Sequence, residues 1–387
     1  MTTKNADIRS DMQEIQGILD NLKNSNWWVR KNIIENLLAY PEDYYLPVLE
    51  EWLRNGDDAL LRNAAMEAFR ALGGKALKSL VSLLKDKDPD VRIFAANMLG
   101  DIKDAISLQA LLSALNDPAD NVRIASAESL GKIRDEKAIE VLAGLMDDTT
   151  WVAMAAIEAI GEIGGDKALS VLYRCLEKEE YRGMTFAAIE KAGNQHCIRH
   201  LTPFVDREDD LRGLALKAIV NIADREGIKP MPSYFMSLIP LLIDLQRSTQ
   251  FELKKAAFIA LSWSEDIRGL PYFIDALDNE GLQEYAIKGL ISLGKKAVPD
   301  TIDALRKPGG NRAVLAKALS MLGENNALLR FADDNDAEVR TEVALAIGCL
   351  KTPKAKEALL ILEQDPVEEV KAAARLSLRK LDGNIVP

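Results

Sequence analysis

The sequence predicts an all-α solenoid of about twelve two-helix repeats, and three observations support this fold class. A short pattern recurs about every 30 residues along the 387-residue chain, in which an acidic turn precedes Val-Arg and a run of Ala and Leu closes on Gly. The apolar residues of each copy recur at helical spacing. The alternation of apolar and polar residues that is typical of a strand does not occur in the sequence.

The Val-equivalent residue of each copy is taken as its anchor. The clearest copies begin at Asp88 and Asp117, and a third begins at Asp333. The full series of predicted anchors is Val29, Leu61, Val91, Val122, Val152, Met184, Leu211, Leu253, Leu282, Val314, Val339 and Val370. Because a stack of repeats grows in one dimension, a chain of this length does not need several separate cores.

Each copy begins with an amphipathic helix A, as in residues 76–84, which ends at a turn rich in Asp, Pro and Asn. The turn caps helix B, which starts at the Val-Arg pair. We expect helix B to stop where Gly tolerates a left-handed cap, at Gly100, Gly131, Gly161, Gly193, Gly323 or Gly348. The arginine of the Val-Arg pair is expected to bind turn carboxylates of its own or a neighbouring copy, at Arg30, Arg62, Arg92, Arg123, Arg212 and Arg340. The ladder breaks at Val152-Ala153 and Met184-Thr185.

The period is interrupted once, in the 42-residue step between Leu211 and Leu253, where residues 224–232 contain two prolines. We therefore divide one continuous solenoid into residues 1–226, with an acidic and apolar concave face, and residues 227–387, with the insertion and the C-terminal repeats.

The unit Asp-Pro-x-Val-Arg-x-x-Ala-Ala-x-x-Leu-Gly resembles HEAT repeats, in particular the short HEAT-like type that is also seen in phycobilisome lyases. The resemblance covers roughly residues 25–381. It implies a right-handed superhelical α-solenoid in which the B helices line the concave side. Because such repeats serve scaffolds, adaptors, lyases and inhibitors alike, the resemblance predicts the fold and leaves the function open.

Composition limits the kinds of partner. The net charge is −11, from 60 acidic and 49 basic residues, which disfavours general binding to phosphate backbones and favours basic partners. Three cysteines without a CxxC pair indicate reduced thiols. Without an apolar signal segment or a stretch long enough to span a membrane, the sequence predicts a soluble cytoplasmic protein that does not bind membranes.

Two rows of helix B are predicted to face the groove, six and two residues after the anchor. The first is acidic, at Glu128, Glu158 and Glu190, and the second is apolar, at Ile93, Ile124, Met154 and Phe186, with Phe94 at its edge. Together they predict a binding surface for a protein or peptide with apolar and basic character. The alternative is a small error in helix phase, which would place the apolar row in the core and leave the glutamates as a solvated face.

The sequence contains little that suggests catalysis. Its two histidines, His196 and His200, are spaced for one helix face, but further metal ligands do not accompany them. We therefore predict a non-enzymatic interaction scaffold or adaptor, with no catalytic residue, metal or cofactor. One alternative is a chromophore attachment or maturation factor like the bilin lyases, and a second is a nucleic-acid-binding protein, which the acidic row disfavours. The identity of the partner and the oligomeric state stay open.

Overall fold

The computed structural model describes residues 14–22, 26–37, 39–55, 58–207, 210–228, 232–307 and 310–381. All regular elements in these ranges are helices, which confirms the predicted all-α class. The chain forms two compact units that divide after Leu201, called unit 1 and unit 2 below. The division predicted after residue 226 stays a prediction. Among the described residues, no helix is both long enough and apolar enough to cross a membrane.

Unit 1 is a series of helix pairs in which an A helix precedes a B helix. Its A helices are α1 (residues 14–22), α3 (Leu46–Arg54), α5 (Leu77–Leu83), α7 (Ala105–Ala114), α9 (Ile139–Ala143) and α11 (Gly165–Cys175). Its B helices are α2 (Trp27–Leu37), α4 (Ala59–Leu72), α6 (Pro89–Ile102), α8 (Asp120–Ile133), α10 (Thr150–Ile163) and α12 (Arg182–Ala192). Each B helix packs against the next B helix, which makes the stack continuous.

Unit 2 follows the same plan, and α13 (Ile198–Val205) contains the division. Its other A helices are α15 (Pro232–Ser237) with α16 (Ile239–Leu245), α18 (Leu270–Ala276), α20 (Val298–Arg306), α22 (Asn325–Leu328) and α24 (Pro353–Leu362). Its B helices are α14 (Arg212–Arg225), α17 (Phe251–Ser264), α19 (Gln283–Leu293), α21 (Arg312–Met321), α23 (Ala337–Ile347) and α25 (Glu368–Leu381). The described residues therefore hold the twelve helix pairs that the repeat predicts.

The acidic turns cap the B helices. The Asp58 carboxylate accepts hydrogen bonds from the amides of Leu60 (2.9 Å) and Leu61 (3.1 Å), and the Asp88 carboxylate accepts one from the amide of Asp90 (2.9 Å). These amides have no partner inside the helix, so each cap is worth about 1 kcal/mol.

The predicted ends of the B helices are wrong for three glycines. Gly100, Gly131 and Gly161 lie inside α6, α8 and α10, nine residues after the anchor. A Cβ atom on Gly131 would lie 3.0 Å from the Cα atom of Ala159, and one on Gly161 would lie 2.8 Å from the Cβ atom of Ala188. These glycines let neighbouring B helices approach closely, and they do not terminate them.

The left-handed caps lie three residues further along, twelve residues after the anchor. This row contains Gly73, Lys103, Arg134, Gly164, Glu265 and Gly294, all with positive φ. Glycine is favoured there because a side chain strains the left-handed conformation, so Lys103, Arg134 and Glu265 are exceptions, the first two in consecutive repeats.

Three of the six predicted arginines bind a carboxylate of the next turn as expected, whereas Arg30 binds Glu67 inside α4 at 2.8 Å. Arg92 binds the Asp117 carboxylate of the next repeat with two hydrogen bonds of 2.8 Å, and Arg123 binds Asp148 at 2.9 and 2.6 Å. Arg340 binds Asp365 in the same way, at 2.7 and 3.0 Å. Each of these three pairs between turns joins two repeats, because one partner starts a B helix and the other lies in the following turn.

Candidate binding face of unit 1

The repeat of α12 is offset by three residues from the prediction. Tyr181 is 4% exposed, whereas the predicted anchor Met184 is half-buried. Nε of Arg182 donates to the carbonyl of Leu176, six residues earlier, at 3.0 Å. In other repeats Nη1 of the arginine after the anchor donates to the carbonyl six residues earlier, as at Arg92 and Arg123. Tyr181-Arg182 is therefore the Val-Arg pair of this repeat, and Arg182 lies 3.7 Å from the Glu179 carboxylate of its own turn.

The repeat of α21 has the same offset. Nε of Arg312 donates to the carbonyl of Leu305 at 2.8 Å, and the guanidinium binds both oxygens of Asp334 at 2.7 and 2.5 Å. Asn311 is thus the anchor in place of Val314. Gly323 then lies twelve residues after the anchor, and its φ of +81° matches that row.

The new register removes two residues from the predicted surface. Phe186 lies five residues after Tyr181 and is 1% exposed, so it belongs to the core and its assignment to the apolar stripe was wrong. Glu190 lies nine residues after the anchor and is half-buried, so it is not in the acidic row. The residue six positions after the anchor is the exposed Ala187.

The structure brings Glu128 and Glu158 together. Both are exposed, and both line a cleft of about 510 Å³ between α8 and α10. Among the described residues, neither carboxylate forms an ion pair or a hydrogen bond. Ala155 and Ala159 line the same cleft, and their small side chains leave the two carboxylates accessible.

The apolar row lies beside these glutamates in a partly covered state. Ile93, Ile124 and Met154 are half-buried on α6, α8 and α10. Phe94 is also half-buried, and the guanidinium carbon of Arg62 lies 5.5 Å from the centroid of its ring. Each of the four side chains is thus partly packed between repeats and partly exposed to solvent.

The sequence interpretation missed a basic rim. Lys103, Lys132 and Arg134 line the cleft opposite the glutamates, together with Glu162. Arg134 binds Glu162 at 3.1 Å, and Lys132 binds Asp101 at 3.1 Å. The signal was present in the sequence, because Lys103 and Arg134 occupy the row in which Gly73 and Gly164 are found.

The two histidines lie in different elements. His196 is in the 3-10 turn Gln195–Cys197, and His200 is in α13. The His200 ring stacks on Tyr173 at a centroid distance of 3.9 Å, and its Nε2 accepts a hydrogen bond from Arg199 at 3.2 Å. Burial and the Arg199 charge lower the pKa of His200. In the part of the chain that the structure describes, no three His, Cys, Asp or Glu side chains are placed to hold a metal ion.

Comparisons with known proteins identify the repeats. The family model described as HEAT repeats matches residues 77–153 in unit 1 and 298–379 in unit 2. A search of curated protein sequences gives no match.

Among solved structures, the karyopherin Kap121p bound to the extreme C-terminus of the protein phosphatase Cdc14p is 15% identical, with a TM-score of 0.55 over 96% of this chain and 49% of that chain. Kap121p bound to Ste12p is 14% identical, with a TM-score of 0.55 over 95% of this chain and 49% of that chain. This chain therefore spans about half the length of these karyopherins, and the likeness shows the fold alone.

The complex of CpcE and CpcF of phycocyanin lyase from Nostoc sp. PCC7120 is 18% identical, over 64% of this chain and 94% of that chain, with a TM-score of only 0.37. Residues 77–153 and 298–379 match HEAT repeats, and the fold class of the chain is an all-α solenoid.

Proposed function

We propose that the chain is a non-enzymatic scaffold that binds a protein or peptide on the B-helix face of unit 1. The observation that carries this proposal is the pair of exposed glutamates, Glu128 and Glu158, in the cleft of about 510 Å³ between α8 and α10. Within the part of the chain that the structure describes, neither carboxylate is ion-paired, although Lys103, Lys132 and Arg134 line the same cleft, so both can bind a ligand that brings a cation.

The neighbouring apolar row supplies contact area. Ile93, Ile124 and Met154 lie on three successive B helices, so their exposed parts extend along the stack. Burial of apolar surface contributes favourably to binding, and part of this contribution is cancelled by the freedom that both partners lose. Met154 also adapts its shape more easily than a β-branched side chain. A segment with apolar and basic side chains can therefore contact the apolar row and the two glutamates at the same time.

The spacing of the repeats suggests the form of this segment. Packed helices lie about 8–10 Å apart, which is the expected separation of equivalent positions on α8 and α10. A polyproline II segment rises about 3.1 Å per residue and presents every third side chain on one face. Basic residues at positions i and i+3 of an extended segment therefore match Glu128 and Glu158.

The test is a binding titration with a labelled peptide that carries Lys at every third position. We expect the variant Glu128→Gln, Glu158→Gln to bind at least about tenfold more weakly than wild type, which corresponds to about 1.4 kcal/mol. The charge-matched control is Glu140→Gln, Glu177→Gln, since both residues are exposed on the A-helix side. Equal binding by both double variants would contradict the proposal.

A second experiment addresses the natural partner. Proteins captured from a native lysate by wild type, and lost with Ile124→Asp, Met154→Asp, would place the partner on this face, provided that circular dichroism shows unchanged helicity. Visible absorption of the purified chain would instead support the chromophore-handling alternative.

A further inference from the structure

Unit 2 carries the opposite charge at the positions that correspond to Glu128 and Glu158. With Leu282 and Asn311 as anchors, Lys288 on α19 and Lys317 on α21 are the residues six positions after the anchor. Both lysines are exposed. They lie on the successive B helices α19 and α21, which are in contact less extensively than α8 and α10 are.

A tyrosine and a further lysine extend this basic row. The Tyr285 ring lies on α19, and its centroid is 5.3 Å from Nζ of Lys255 on α17 and 5.4 Å from Nζ of Lys288. Such cation–π contacts hold two flexible lysine side chains against one ring and so reduce the entropy lost on binding. Three B helices in succession therefore present ammonium groups on one face.

The carboxylates near this face compensate its positive charge only in part. Glu284 binds Lys288 at 2.7 Å on the same helix. The half-buried Glu342 on α23 lies near Lys317; burial raises the pKa of Glu342, and the Lys317 charge opposes that rise. Within the described ranges, Lys255 and Lys317 have no ion pair with a carboxylate.

We propose that this face of unit 2, formed by Lys255, Tyr285, Lys288 and Lys317, is a second binding surface and takes an acidic peptide segment. Carboxylates of the segment pair with Lys317 and Lys255 and compete with Glu284 for Lys288. The spacing of successive B helices again selects acidic residues at positions i and i+3. The proposal does not rest on the function of unit 1, since the two faces select opposite charges.

The same observations favour a peptide over a nucleic acid. The face has three cations, and one of them is already paired with Glu284. The Tyr285 ring is in contact with two ammonium groups, so its faces are not open for stacking on bases. The chain as a whole carries a net charge of −11, which repels a polyanion at long range.

The experiment is a fluorescence anisotropy titration of the full chain with a labelled peptide that carries Glu at every third position. We expect Lys288→Gln, Lys317→Gln to weaken binding about tenfold, which is typical for the loss of two charge-assisted contacts. The charge-matched control Lys295→Gln, Lys354→Gln removes two exposed lysines that lie outside this B-helix face and is expected to bind as wild type does. Tyr285→Phe is expected to keep the affinity, and Tyr285→Leu to reduce it several-fold.

Three results would overturn the proposal: no binding of the Glu peptide to wild type, equal losses in the two double variants, or tighter binding of a single-stranded oligonucleotide of equal charge. Glu128→Gln, Glu158→Gln must leave the affinity for the Glu peptide unchanged, which separates this proposal from that for unit 1. If the double variant Lys288→Gln, Lys317→Gln has lower helicity than wild type, hydrogen exchange of the wild-type chain with and without the Glu peptide replaces the titration. Slower exchange in α17, α19 and α21 on adding the peptide supports the site, and slower exchange elsewhere refutes it.

Discussion

Gly100 on α6 lies so close to Ser129 on α8 that a Cβ atom on Gly100 would be 2.5 Å from the Cβ atom of Ser129. Gly348 meets Ser377 in the same way in unit 2, at 2.6 Å. Because interior packing tolerates few added atoms, these glycines set how closely successive B helices approach.

Alanine at these contacts is expected to be destabilising. Gly100→Ala should lower the free energy of unfolding by about 1–3 kcal/mol, which is the usual cost of overpacking. The control is Gly144→Ala, where a Cβ atom meets nothing within 4 Å and the change should be neutral or slightly stabilising. Urea unfolding followed by circular dichroism measures both, and equal midpoints for the two variants would contradict the role of Gly100.

The ladder predicts a pH dependence of stability. The hydrogen bond from Arg123 lowers the pKa of Asp148, so the carboxylate stabilises the fold above its unfolded pKa of about 3.9 and loses this contribution as the pH falls through the lower folded pKa. Arg123→Ala should cost about 1–3 kcal/mol at neutral pH, because it leaves a largely buried carboxylate without its partner. The difference from wild type should shrink below about pH 4. Unfolding midpoints at neutral and acidic pH measure this, and a constant difference would contradict it.

The left-handed caps predict opposite effects of glycine at two lysines. Lys103 has a φ of +57°, so Lys103→Gly should relieve strain and raise the free energy of unfolding by up to about 1 kcal/mol. Lys132 lies inside α8, where Lys132→Gly should lower it by about 1 kcal/mol. Thermal unfolding of the two variants gives the sign of each change, and destabilisation by both would refute the strain at Lys103.

The corrected register predicts that Phe186 acts in the core. Phe186→Ala should lower the free energy of unfolding by about 3–5 kcal/mol, as for other buried aromatic residues. Ala187→Ser, one position along and exposed, should change it by less than about 0.5 kcal/mol. A folded Phe186→Ala variant with unchanged stability would contradict the assignment of Phe186 to the core.

The sequence was sufficient for the fold class, the twelve helix pairs and three of the six ladder arginines. A repeat period and a pair of opposite charges can be recognised even when the helix phase is slightly wrong. It was not sufficient for the register of α12 and α21. Tyr181 and Asn311 are not Val or Leu, and an apolar residue three positions later matches the helical period equally well. The role of Gly100 was misassigned because the sequence alone does not distinguish a glycine that ends a helix from a glycine at a contact between two helices.

The exposure of the candidate site residues was therefore predicted correctly for some of them. Glu128 and Glu158 belong to repeats with clear anchors, and both are exposed as expected. Phe186 and Glu190 depended on the uncertain anchor and were misplaced. The cleft with its basic rim was not predicted, because it needs the end of α6 beside α8 and α10 in three dimensions.

The most direct test of the account is the affinity of the Lys peptide for three forms of the full chain. These are wild type, the double variant with Glu128→Gln and Glu158→Gln, and the double variant with Glu140→Gln and Glu177→Gln. We predict that the first double variant binds about tenfold more weakly, while the second binds as wild type does. Equal affinity of the three forms, with unchanged helicity, would show that the B-helix face of unit 1 does not recognise basic segments.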